Sequence, residues 1–186
     1  NKHFVENKIK RLNLLKIFSM KRYIGIFLLA LNLTACDDGD ITLQSFDFEA
    51  QTIQNCTTNE LLFKIKGSEL LLVTLPNSAT ANEVTPEDQP REIQVNTTNQ
   101  VLYRKYSGNL TNGTICSAIP PSSPSVSKEW VATGGTIEVI TSERRNADDE
   151  LIGYTHNIRF VNINFSSSDD SFSFVSYIFG NYQTNL

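Results

Sequence analysis

Long apolar runs, histidine and positive charge are all scarce in this chain. No apolar stretch reaches the ~20 residues that a helix needs to cross a bilayer core. Only two histidines occur, and beyond residue 36 only His156 remains. A histidine base needs a positioned partner and often an adjacent nucleophile. No serine or threonine here sits in a G-x-S-x-G elbow, so His156 reads as a strand residue with a hydrogen-bonded ring. No C-x-x-C or Cys/His spacing offers a zinc site. The acid clusters DDGD (37–40), DDE (148–150) and DD (169–170) lack the alternating ligands of a calcium loop. They read as solvated turns, and neither metal nor cofactor is predicted. Glu129, Glu138 and Asp47 could in principle converge as glycosidase carboxylates, but nothing in their spacing selects them. A hydrolase is the least favoured reading.

Apolar residues gather first near the amino terminus. From Met20, the only methionine, the chain reads MKRYIGIFLLALNLTAC. Lys21 and Arg22 form a basic n-region, residues 23–33 an apolar h-region, and small residues lead into Cys36. This is the layout of a secretory signal peptide, too short to span. Residues 1–19 are read as translation upstream of the start or as a leader, and 20–35 as the signal peptide. Residues 36–40 form an acidic tether, and 41–186 a single domain.

Leu33-Thr34-Ala35-Cys36 resembles a bacterial lipobox, and the acidic run Asp37-Asp38-Gly39-Asp40 behind it is similar to the surface-export signal of Bacteroidota lipoproteins. The resemblance covers the signal region and the tether. It implies diacylglycerol on the Cys36 sulfur, cleavage before it, and acylation of the new amino terminus. One acyl chain holds only marginally, whereas two or more anchor stably. The expected location is the cell envelope, at the outer membrane and on the cell surface. The alternative is the periplasmic face of the inner membrane, since an Asp after the cysteine implies retention there in other bacteria, and the Lys of some export signals is absent.

Assigning Cys36 to lipid leaves Cys56 and Cys116, an even pair in an oxidising compartment. A disulfide across their separation of 60 would contribute roughly 4 kcal/mol in the chain-entropy model. Two buried free thiols are the alternative. Removal of residues 1–35 takes away seven of the 16 Lys+Arg and one of the 20 Asp+Glu. The remaining nine bases and 19 acids give a net charge of −10, which argues against nucleic acid as a partner.

Beyond the tether the apolar pattern has period two almost throughout. Strands are predicted at 41–49, at 60–66 and 69–75 around a Gly67-Ser68 turn, at 91–97 and at 100–107. Another carries Cys116, KEWVAT forms a short one, and a meander covers 136–143, 150–165 and 171–179. The last of these has apolar residues at both parities, which predicts a central strand covered on both faces. Proline-rich loops fall at 76–90 and 118–127. The fold class is all-β: an antiparallel sandwich of about nine or ten strands, with an up-and-down barrel as the alternative.

Trp130 beside the second loop, with Tyr103 and Tyr106, is the candidate stacking platform for a sugar or peptide; the bland reading makes Trp130 a core anchor. The leading functional expectation is a non-enzymatic binding or accessory module whose ligand is a glycan or protein. The alternative is a structural or assembly component of the envelope.

Overall fold

Alternating apolar residues make strands here, and all of the strands join one sheet. The computed structural model describes residues 46–56 and 59–186; the upstream segment, the signal peptide, Cys36 and the tether lie outside them. The strands are β1 (Gln54–Cys56), β2 (Asn59–Lys66), β3 (Glu69–Thr74), β4 (Arg91–Gln94), β5 (Val101–Tyr106), β6 (Val126–Arg145), β7 (Leu151–Ser166) and β8 (Ser171–Asn185). Every pairing is antiparallel. The order is β1-β2-β3-β5-β6-β7-β8, with β4 also beside β6. The protein is all-β, and its sheet curls into a half-barrel.

Three local expectations change. Residues 46–48 are irregular and 49–50 form a turn, although the segment alternates like a strand. Cys116 ends a short helix, α1 (Asn112–Cys116), rather than sitting on a strand. Thr111 and Thr114 close a reciprocal capping box there, so the local hydrogen bonds win over strand propensity. KEWVAT and TIEVITSE are one strand, β6, because Gly134-Gly135 bends the chain without ending it.

That bend organises the fold. β5 pairs with the first half of β6 and β4 with the second. Along β6 the buried positions are Trp130 and Ala132, then Ile137, Val139 and Thr141: the inward parity switches between the two sets. β7 switches between Phe160 and Ile163, and β8 between Phe174 and Tyr177. The switches lie side by side in register, with Ile137 opposite Phe160 and Phe160 opposite Tyr177. Such irregularities let one strand turn a corner. Gly135 has φ +120°, and a Cβ on it would lie 2.7 Å from the Ile163 Cα; Asn162 has φ 50°. The two apolar parities of β8 are therefore one face read through a corner, and β8 is not central but an end of the sheet.

The concave side holds the main core, and Phe46 and Phe48 fill it from the irregular segment. The Phe46 ring lies 4.9–5.6 Å from six other aromatic rings. On the opposite face of β2 and β3, Phe63, Leu70 and Leu72 form a second cluster under Leu110, Ile115 and the cystine. The Cys56–Cys116 bond is formed, with Cα atoms 5.3 Å apart. The β2–β3 turn has positive φ at Gly67 alone, as a type II′ turn requires.

Candidate binding groove

The groove begins with a pinned peptide. Phe48 anchors its ring in the core, and its backbone N–H donates to the Tyr177 hydroxyl at 3.2 Å. Its carbonyl accepts from Lys64 Nζ at 2.8 Å and from the Gln51 N–H at 3.0 Å. The second of these bonds turns the chain at Glu49-Ala50 and sends it toward β1. Burial pushes the Tyr177 hydroxyl up to about 12; the backbone bond from Phe48 opposes this.

Lys64 alternates inward with Leu62 on β2, so strand geometry places an ammonium group where the core would otherwise be apolar. The residue is only 2% exposed. Its Nζ lies 5.6 Å from the Phe179 ring centroid and close above Gly180, where a Cβ would come within 3.2 Å of it. Burial lowers its pKa, while the Glu49 and Asp47 carboxylates act in the opposite sense. An ammonium has three donors; a single carbonyl holds one of them here.

Around Lys64 a groove of about 640 Å³ opens between residues 49–55 and residues 180–183 of β8. Gln51 and Asn55 line it with carboxamides, Tyr182 with a half-buried ring, and Glu49 with a carboxylate; Asn181 and Gln183 belong to the outward phase of β8, where the Asn181 Oδ1 accepts from Asn157. Carboxamides both donate and accept, as vicinal hydroxyl groups require of a partner. A second, more apolar groove of about 380 Å³ runs beneath the proline loop, against Leu61, Leu72, Tyr106, Ile115 and Pro121.

The candidate platform does not form. Trp130 and Tyr103 are 1% and 0% exposed and stack on each other at 4.9 Å inside the main core. Tyr106 packs against the second cluster, on the other face. Trp130 is a core anchor with a polar tip: its Nε1–H donates to Asp170 at 2.6 Å. The Ser167 hydroxyl, Lys128 and Trp130 together hold the Asp170 carboxyl below its usual range. Burial, with Glu69 adjacent, pushes the Tyr103 hydroxyl far up. Neither Tyr103 Oη nor Glu69 Oε2 makes a hydrogen bond of normal geometry.

The carboxylates considered for hydrolysis do not converge. Glu129 pairs with Arg104 and Glu138 with Arg159, while Asp47 accepts from its own turn. Asp148 and Glu150 sit in a turn organised by the Asn146 carboxamide. Among the described residues no group of three or more His, Cys, Asp or Glu could hold a metal ion. His156 is fully buried, with Nδ1 2.9 Å from the Thr141 hydroxyl and Nε2 3.1 Å from that of Thr184.

Lys64 and the 180–183 stretch were not singled out from the sequence. Two weak signals point to them: a lysine in the inward phase of LFKIK, and a glycine within a strand, which marks close approach of another group. Comparison of the chain with protein-family models, curated proteins and solved structures finds no match.

Proposed function

We propose that this chain is a lipid-anchored, extracytoplasmic binding module that takes an oligosaccharide in the groove above Lys64. The observation that carries the reading is the buried ammonium group at the floor of a cleft rimmed by carboxamides. Ligand sites are concave, with a few convergent polar groups that fix orientation. Lys64 supplies a fixed donor, Gln51 and Asn55 supply donor–acceptor pairs, and Tyr182 offers an apolar ring. No nucleophile–base pair accompanies them among the described residues, which favours binding over turnover. The anchor rests on the lipobox resemblance at Cys36, and the cystine fits an oxidising compartment. On that reading the groove faces the outside of the cell from the outer membrane.

A glycan array probed with the purified full chain tests this, followed by calorimetry on the best hit. Replacing Asn55 by alanine should weaken binding about 5-fold, one hydrogen bond at ~0.5–1.5 kcal/mol. Asn55 is exposed, so the melting temperature should stay within about 2 °C. A blank array, with crosslinking in intact cells recovering one abundant envelope protein, would replace the glycan reading by the assembly one.

A further inference from the structure

The edges of this sheet are protected unequally. β1 is three residues long and is tied through the cystine to α1. β4 is four residues long, follows Pro90, and carries Arg91 and Glu92. Short length, proline and charge are the usual ways of keeping an open edge from pairing. β8 uses none of them: SFSFVSYIFGNYQTN runs 15 residues without a charge or a proline. Its only strand neighbour among the described residues is β7. Two of its apolar side chains stand in solvent, Val175 at 80% and Ile178 at 54% exposure.

We propose that the free edge of β8 is a homodimer interface, in which two copies pair antiparallel through Phe172–Phe179 about an axis between Val175 and Ser176. The parity switch selects that register. Residues opposite each other in an antiparallel pair point to the same face. In a regular strand, positions equidistant from a point between two residues point to opposite faces, so an axis placed there is forbidden. The switch between Phe174 and Tyr177 removes that conflict. Phe174 and Tyr177 both point inward, as do Phe172 and Phe179, while Val175 and Ser176 both point outward, as do Ser173 and Ile178. The pattern reads the same in both directions, as a two-fold interface demands. A second copy is also the partner that charge favours. The chain is acidic overall, at −4, and it can approach itself without repulsion only along an uncharged strip. In the pairing, each Val175 lies opposite the Ser176 of the other copy, and each Ile178 opposite its Ser173.

Sedimentation equilibrium or native mass spectrometry of the purified full chain tests the proposal. The wild type should be dimeric. V175K/S176K places one lysine opposite another twice over and should weaken the dimer at least about 30-fold. V175K/S176E uses the same two exposed positions but sets each new lysine against a new glutamate of the other copy, and should remain dimeric. If V175K/S176K folds poorly, circular dichroism will show it, and mixing that variant with V175E/S176E should restore both pairing and fold. A monomeric wild type would overturn the interface. So would a dimer indifferent to V175K/S176K, or equal loss in both double variants.

Discussion

Two long connections cross this molecule, and they are secured by opposite means. Residues 76–90 and 107–125 each contain three prolines. The first is held by a polar network centred on the buried Thr85 and Thr141. Arg91, at its exit, donates to the Thr141 hydroxyl at 2.6 Å and to the Glu83 carbonyl at 2.5 Å. Thr85 exchanges bonds with the Thr141 backbone. The Thr184 hydroxyl donates to the Asn82 side chain at 2.6 Å. The second connection has few such ties: Leu110 N–H to the Gly67 carbonyl, Ser107 N–H to that of Ser125, and the cystine. Most of 117–125 is exposed. A polar network stabilises most where burial excludes water, as it does at Thr85, Thr141 and His156, whereas a covalent link constrains even a solvated loop. Each loop has the fastening its surroundings permit.

Breaking the cystine should have the largest effect. Replacing Cys56 and Cys116 by alanine is expected to cost about 4 kcal/mol in denaturant unfolding. Limited proteolysis should then move into 117–125 while 76–90 stays protected. A loss below about 1 kcal/mol would mean that Leu110 and Ile115 hold the loop by packing alone.

The network should be weaker to lose and different in kind. Thr141→Val keeps the shape but removes the hydroxyl between Arg91 and His156. One or two buried polar atoms are left unpaired, so about 2 kcal/mol is expected, or a melting point lower by about 6 °C. Hydrogen exchange should rise at the Thr85 amide, which bonds to the Thr141 carbonyl, and not at Leu110. Equal loosening of both loops would show that the two fastenings are not independent.

How much of this was legible in the sequence depended on whether the signal was local. Period-two alternation gave the all-β class, the β2–β3 hairpin around Gly67, and β7 almost to the residue. The cystine followed from cysteine arithmetic. The corner was hidden, because a parity switch looks in sequence like a strand apolar on both faces; that is why β8 read as central. Gly134-Gly135 read as punctuation, although the close approach of Ile163 is visible only once β7 is in place. Phe46 and Phe48 alternate like strand residues, yet their partners lie more than fifty positions away at Tyr103, Phe165 and Phe174. Trp130 suggested a platform because a neighbouring loop is rich in proline; the Asp170 that satisfies its indole N–H sits forty residues on. Lys64 left only a weak signal for the same reason, since only the fold sets it against Phe48 and Gly180.

The smallest expected effect separates the two fastenings most cleanly. Arg91 donates to the Thr141 oxygen, which leaves the Thr141 hydroxyl hydrogen for His156 Nδ1. Nε2–H then donates to Thr184, which passes its own hydrogen to Asn82. Every donor in the chain from Arg91 to Asn82 is used once, and the imidazole is neutral. Burial, and then the Arg91 charge, lower the His156 pKa from its ordinary 6.5. The unfolded chain therefore takes up a proton near pH 6.5 that the folded chain refuses. The contribution is fully present above that pH and is lost as the pH falls toward the lowered folded value. The slope is at most about 1.4 kcal/mol per pH unit. Asp170, whose lowered carboxyl starts from 3.8, titrates well below this window and does not interfere. Unfolding measured between about pH 7.5 and 5.5 should show the decline in the wild type and a flatter line in His156→Gln. Acid should loosen 76–90 before 107–125, and a reductant should do the reverse. An unchanged slope in His156→Gln would remove the histidine from the account and leave the first loop held by Arg91 and the threonines alone.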